Sequence, residues 1–114
     1  DLADVRADEN YAFRTACANG HLAVAQWLWT LGLDLADVRA DENYAFRTAC
    51  ANGHLEVAHW LMSLGLNLAD AQAKNDSALR EALTNNHFAV AEWLRSIGCA
   101  LLPTQKGEPL RVDA

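Results

Sequence analysis

Apolar residues recur along the chain in short stretches with helical spacing, and polar turns containing Gly separate the stretches. Within 41–53, one side of a predicted helix carries four apolar residues: Ala45, Phe46, Ala49 and Cys50. Residues one, four and five positions apart share a side of a helix. Asp41 is the predicted N-cap of this helix. Asn52-Gly53 is its predicted stop, because both residues tolerate a left-handed backbone.

A second amphipathic stretch follows directly, with Leu55, Ala58 and Leu61 on one side, and Gly65 ends it. Helices of about ten residues are too short to be stable alone in water. Each pair of helices must therefore bury its apolar face against a neighbouring pair. The connecting segment 33–40 is acidic and lacks proline, and we expect it to be an exposed turn or hairpin.

The chain is an internal repeat with a period of 33 residues. Residues 1–22 recur letter for letter as 34–55, and residues 1–33 differ from 34–66 at only four positions: Ala23/Glu56, Gln26/His59, Trp29/Met62 and Thr30/Ser63. Residues 67–99 align at the same period without gaps. We therefore predict unit 1 (1–33), unit 2 (34–66), unit 3 (67–99) and a tail (100–114). A regular repeat of helix pairs is typical of a solenoid.

One motif carries a family resemblance. Unit 2 reads Gly-His-Leu-Glu-Val at 53–57, unit 1 reads Gly-His-Leu-Ala-Val at 20–24, and unit 3 reads Asn-His-Phe-Ala-Val at 86–90. With the 33-residue period, these segments resemble the ankyrin repeat. The usual Thr-Pro-Leu-His opening of the first helix is absent, and Tyr44-Ala45-Phe46-Arg47 stands in its place. The resemblance implies an all-α ankyrin-repeat solenoid and a non-enzymatic module for protein–protein interaction.

The resemblance also implies where a partner would bind, namely at the turn tips and on the exposed side of the first helices. The partner-binding candidates are the polar residues at those positions: Asp8, Asn10, Asn19, Asp41, Asn43, Asn52, Lys74, Asp76 and Asn85. Two alternatives stay open. The chain could be an engineered or structural scaffold with no natural partner, or a fragment of a larger ankyrin-repeat protein whose effector domain is missing.

The charge balance narrows the classes of partner. Asp and Glu number 15 against 9 Lys and Arg, for a formal net charge of −6. This balance argues against nucleic acid, whose recognition needs a basic face. No apolar run approaches the length of a membrane span. The acids of units 1 and 2 collect in the turns, which predicts a basic protein partner. The competing interpretation is that these acids only cap helices.

No catalytic or metal site is expected. His21, His54 and His87 occupy one repeat position, and stacked helices lie about 8–10 Å apart, which is too far for shared metal ligation. The same spacing forbids a disulfide between Cys17 and Cys50. We predict no cofactor and no enzymatic activity. Three reduced thiols favour a cytoplasmic location.

The ends of the array differ. Trp27, Trp60 and Trp93 share one repeat position and are predicted to be core residues. Unit 3 replaces small or apolar residues by polar ones, such as Arg95 at the position of Trp29, which predicts a C-terminal capping repeat. Unit 1 lacks such replacements, so we predict self-association through its open face.

Overall fold

The computed structural model describes the backbone of residues 2–100 and the side chains of residues 10–100. This part of the chain contains eight helices and no strand. The helices are α1 (Leu2–Ala18), α2 (Leu22–Thr30), α3 (Leu35–Val38), α4 (Ala40–Ala51), α5 (Leu55–Ser63), α6 (Leu68–Ala71), α7 (Ala73–Thr84) and α8 (Phe88–Ile97). The all-α class predicted from the sequence is confirmed.

The long helices form a stack. Helix α4 lies between α1 and α7, while α2, α5 and α8 each pack against the long helix that precedes them. One continuous core runs through the stack, and its largest fully buried side chains are Phe13, Phe46, Leu61, Leu79 and Leu94. Ala45, Phe46, Ala49 and Cys50 are fully buried, as their spacing predicted. Neighbouring units therefore complete each other's core, as short amphipathic helices require.

The segment between units 1 and 2 is not the exposed turn or hairpin that we expected. It forms the short helix α3, with Leu33 and Val38 buried. Asp34 is its N-cap, and a reciprocal capping box joins the Asp34 and Asp37 side chains to each other's backbone N–H groups at 3.2 and 2.9 Å. A capping box satisfies backbone donors that a helix start leaves unpaired. Helix α6 begins in the same way, with Asn67 and Asp70.

The prediction that Asp41 caps the first helix is wrong. Residues 41–43 and 74–76 are two left-handed turns, in which all three residues have φ between 56° and 63°. A left-handed backbone is unfavourable for residues other than Gly. Arginine supports both turns: Arg47 donates to the carbonyls of Glu42 and Asp41 at 2.8 and 3.0 Å, and Arg80 makes the equivalent bonds at 3.1 and 3.2 Å.

Units 1 and 2 fold differently although their first 22 residues are identical. Helix α1 runs without interruption from Leu2 to Ala18. The same letters in unit 2 form α3, a break at Arg39, the left-handed turn 41–43 and the remainder of α4. Local sequence therefore does not decide between the two backbone conformations, and the neighbouring units do.

Two contacts recur between units. A tryptophan packs on a phenylalanine of the preceding unit, with ring centroids 6.0 Å apart for Trp60 and Phe13 and 6.1 Å apart for Trp93 and Phe46. Trp27 departs from this pattern. It is 60% exposed, so the prediction that it is a core residue is wrong.

The second recurring contact joins histidine to glycine. The ring of His54 lies against Gly20, and the ring of His87 lies against Gly53. A Cβ added at Gly20 or Gly53 would lie 2.6 or 2.5 Å from the ring nitrogen Nδ1, so only Gly leaves room for the imidazole. These two histidine–glycine contacts thus pack neighbouring units together.

Candidate functional site

Two of the predicted binding residues, Asn10 and Asn43, form hydrogen bonds with the next unit. Asn10 donates from Nδ2 to Oδ1 of Asp37 at 3.2 Å, and Asn43 makes the equivalent bond to Asp70 at 3.1 Å. Asn43 is buried and is thus not on the surface. Both asparagines join one unit to the next, which is a structural role.

Asp70 is a buried acid that accepts several hydrogen bonds. Arg39 donates to both of its carboxylate oxygens at 2.9 Å, in addition to the bonds from Asn43 and the Asn67 backbone. Burial raises the pKa of Asp70. The hydrogen bonds from Arg39, the Asn67 backbone and Asn43, with the charge of Arg39, outweigh burial and hold this pKa below its ordinary value.

Asn52 and Asn85 also connect units. Asn52 donates from Nδ2 to the carbonyl of Ala18 at 2.8 Å, and Asn85 donates to the carbonyl of Ala51 at 2.8 Å. Each bond satisfies the end of the preceding unit's first helix, where carbonyls lack intrahelical partners. Asn19 occupies the same repeat position in unit 1 and is exposed.

The acidic turn residues lie beside cations. Asp41 forms an ion pair with Arg14, and Glu42 lies 3.8 Å from the ammonium of Lys74. The Asp41 and Glu42 side chains nevertheless remain 66% and 68% exposed. The surface of these turns therefore carries alternating charges. The side chain of Asp8 lies outside the described residues.

Asp76 stands apart from the other acids. It occupies the repeat position of Asn43, and its Oδ1 is buried without a hydrogen bond among the described residues. Burial raises the pKa of Asp76, while a hydrogen bond with the Cys99 thiol and the charge of Arg80 act in the opposite direction.

An open pocket lies between the exposed sides of α1 and α4. We call it the groove pocket, and its volume is about 390 Å³. It is lined by Tyr11, Arg14, Thr15, Ala18, Asn19 and Tyr44. Tyr11 is 66% exposed and Tyr44 is 38% exposed. The guanidinium carbons of Arg14 and Arg47 lie 5.3 and 5.8 Å from the Tyr44 ring centroid, within cation–π range.

Among the candidates predicted from the sequence, the groove pocket contains only Asn19. The prediction favoured small polar residues and passed over the tyrosines, which are the large exposed groups here. A signal was present, because Tyr11 and Tyr44 share one repeat position and arginine recurs three residues later in all three units, as Arg14, Arg47 and Arg80.

The thiols and histidines form no reactive cluster in the described part. Cys17, Cys50 and Cys99 are buried free thiols. Burial raises the pKa of Cys17 to about 12 and, with the nearby Asp76, that of Cys99 to about 11. Nucleophilic cysteines need a lowered thiol pKa instead. Between residues 10 and 100, no group of three or more His, Cys, Asp or Glu side chains could hold a metal ion.

No helix within the described range is both long and apolar enough to cross a membrane.

Comparison with known proteins gave one match. The family of ankyrin repeats, in three copies, matches residues 13–104. No curated protein and no solved structure matches the chain. The family match covers most of the chain and agrees with its stacked helix pairs. The chain belongs to the ankyrin repeat family.

Proposed function

We propose that this chain is a protein–protein interaction module with no catalytic activity of its own, and that the groove pocket is its contact surface. Ankyrin repeats are generally modules of this kind and generally non-enzymatic. The observation that carries the choice of surface is the pair of exposed tyrosines, Tyr11 and Tyr44, on either side of an open pocket. Tyrosine and arginine are enriched at binding hot spots, because they combine large apolar area with polar groups.

The pocket is supported by rigid elements. Asn52 ties α4 to the end of α1, and Arg14 contacts both Asp41 and the Tyr44 ring. A partner side chain that enters the pocket would meet apolar ring faces and the polar groups of Thr15 and Asn19. Binding to a preformed surface avoids the entropy loss of ordering a loop.

The partner's charge is a subordinate proposal. Asp41 pairs with the pocket residue Arg14, and Asp41 and Glu42 both stay largely exposed beside their cations, so a basic segment can compete for them. Such ion pairs contribute about 0–1 kcal/mol at an exposed site, so little stability is lost when a cation of the bound segment replaces Arg14 or Lys74. We propose that a Lys- or Arg-rich segment approaches the turns while an apolar side chain enters the groove pocket.

The test uses a random peptide library displayed on phage, selected against the full chain. The double variant Tyr11→Ser with Tyr44→Ser should weaken the selected peptides by at least about tenfold, as expected for hot-spot aromatic residues. Ser77 occupies the equivalent position in unit 3, so the chain already accommodates serine there. Phe88→Ala is the matched control, because Phe88 is an exposed aromatic residue outside the pocket.

Peptides that bind the double variant as well as the parent chain would show that the groove pocket is not the contact surface. A library that yields no binder would favour the scaffold alternative. The combined change Asp8→Asn, Asp41→Asn and Glu42→Gln tests the charge. If it leaves the association rate and its salt dependence unchanged, the acidic turns are not part of the contact.

A further inference from the structure

The charges at the groove pocket and at the neighbouring turn have opposite signs. Asp41 and Glu42 lie in the left-handed turn with largely exposed side chains, and Asp41 reaches the pocket residue Arg14. The guanidinium carbons of Arg14 and Arg47 lie 5.3 and 5.8 Å from the ring centroid of Tyr44, which also lines the pocket. A complementary partner therefore brings a basic group to the turn and an acidic group to the pocket.

The polar groups that line the groove pocket can all donate hydrogen bonds. They are the guanidinium of Arg14, the hydroxyls of Tyr11, Tyr44 and Thr15, and the side-chain amide of Asn19. Of the side chains that the structure describes, no Asp or Glu belongs to this lining. A pocket with a cation and several donors but no carboxylate favours an occupant that carries an anionic acceptor.

Arg14 has unused donors for such an occupant. A guanidinium carries five N–H groups, and within the described part of the chain Arg14 uses only Nη1, which donates to Asp41. Its Nε is buried and has no hydrogen-bond partner among the same residues. Arg47 and Arg80, at the equivalent repeat positions, use Nε and Nη2 on the carbonyls of their own turns. Arg14 is therefore the arginine at this position that can accept a further carboxylate.

Binding of a basic partner segment would change the pairing of Arg14. When a Lys or Arg of the partner takes Asp41, the guanidinium of Arg14 loses its carboxylate. A charged donor that is left unpaired in a desolvated contact is costly. A carboxylate supplied by the partner restores the pair and can bind two guanidinium nitrogens side by side. Both charges of the Arg14–Asp41 pair then remain compensated in the complex.

On the basis of the proposed function, we propose that the groove pocket binds the C-terminal residue of the partner, with its α-carboxylate on Arg14 and an apolar side chain against the ring of Tyr11. A C-terminal residue carries both groups on one Cα, whereas an internal Glu would need a second residue to cover the ring. The pocket volume of about 390 Å³ lies in the usual range of about 300–1,000 Å³ for ligand sites. The basic residues that precede the C-terminus reach Asp41 and Glu42.

Two libraries of short synthetic peptides test the proposal against the full chain. Both have randomised upstream positions and end in Leu, one with a free α-carboxylate and the other with a C-terminal amide. Binders should come from the free-acid library. Amidation of each selected peptide should weaken its binding, followed by fluorescence anisotropy, by at least about tenfold, as expected for the loss of a charge-assisted hydrogen bond.

Variants of the chain identify the group that binds the carboxylate. Arg14→Gln should weaken the free-acid peptides about as much as amidation does, and the two changes together should add little, because both remove the same contact. Arg95→Gln is the matched control, since Arg95 is an exposed arginine on α8 outside the pocket, and it should leave binding unchanged. Circular dichroism of each variant checks that the helices are retained.

Asp41→Asn provides an effect of the opposite sign. Asn tolerates the left-handed backbone of residue 41, and the substitution removes the carboxylate that competes for Arg14. Free-acid peptides in which every Lys and Arg is replaced by Ala should therefore bind about two- to fivefold more tightly to this variant, as expected for the loss of an exposed ion pair. Weaker binding of these peptides to the variant would overturn the proposed exchange.

The remaining outcomes separate C-terminal recognition from the proposed function. Equal binding of acid and amide that is still lost in the double variant Tyr11→Ser with Tyr44→Ser overturns C-terminal recognition and keeps the groove pocket as the contact surface. Peptides that bind the double variant unchanged overturn both, as does the failure of both libraries to yield a binder. An equal loss with Arg14→Gln and Arg95→Gln reflects net charge alone and overturns the role of Arg14.

Discussion

Replacing Gly53 by asparagine tests the histidine–glycine contact between units 2 and 3. The backbone tolerates this change, because Asn86 occupies the equivalent position of unit 3 with φ at 63°, against 82° for Gly53. The side chain is the obstacle. A Cβ at residue 53 would lie 2.5, 2.8 and 2.9 Å from Nδ1, Cε1 and Cγ of His87. Van der Waals contact requires about 3.5 Å, so the imidazole must move by about 1 Å.

The magnitude follows from that displacement. Forcing an extra group into a packed contact costs about 1–3 kcal/mol. We therefore expect Gly53→Asn to lower the free energy of unfolding by about 2 kcal/mol, with only a few tenths of a kcal/mol due to the backbone. Once His87→Ala has removed the ring, the same substitution should cost less than about 0.5 kcal/mol. The resulting coupling energy between the two positions is at least about 1.5 kcal/mol.

Urea unfolding of the parent chain, the two single variants and the double variant measures this coupling, with helix content followed by circular dichroism. Gly20→Asn with His54→Ala repeats the cycle at the interface between units 1 and 2, where the added Cβ would lie 2.6 Å from Nδ1. Equal destabilisation by Gly53→Asn with and without His87 would refute the reasoning, since the cost would then lie in the backbone alone.

Three further predictions concern ionisable groups. Because burial raises the pKa of Asp76, its charged form opposes folding above about pH 4. Asp76→Asn should therefore stabilise the chain at pH 7, and thermal melts should show this gain vanish towards pH 3. The lowered pKa of Asp70 has the opposite effect on folding, because the charged carboxylate stabilises the chain above about pH 4 and this stabilisation is lost as pH falls. Asp70→Ala should therefore lower the free energy of unfolding by about 3 kcal/mol at pH 7 and flatten the acid side of the plot of stability against pH. The raised thiol pKa values predict slow alkylation of Cys17 and Cys99 at pH 8 in the folded chain and fast alkylation in urea, read by mass spectrometry. The melting temperature should change with neither chelator nor reductant, and a large drop with either would contradict the prediction that the chain has no structural metal and no disulfide.

The sequence predicted those parts of the fold that follow from local periodicity. Ala45 and Phe46 are buried because residues at helical spacing face the same neighbours in every unit. The segment 33–40 escaped prediction because its acids were expected in an exposed turn, whereas Asp34 and Asp37 form a capping box and Asn10 of the preceding unit bonds to Asp37. Trp27 was assigned to the core by analogy with Trp60, although burial at this position depends on a preceding phenylalanine.

The candidate site was less predictable for the same reason. Asn52 and Asn43 look like free turn residues in the sequence, but each reaches a partner more than twenty-five positions away and joins two units. The groove pocket arises only when α1 and α4 stand side by side, which brings Tyr11 and Tyr44 to the same opening. A single unit contains no information about this spacing.

The two conformations of the identical stretches 1–22 and 34–55 have a consequence for how such an array can lengthen. The bent form of unit 2 has contacts on both sides, because Asn10 of unit 1 bonds to Asp37 while Arg39 and Asn43 bond to Asp70 of unit 3. An unchanged copy can therefore take a different shape from its parent when its neighbours differ. The shape of a repeat in this array thus depends on its place among its neighbours as well as on its own sequence.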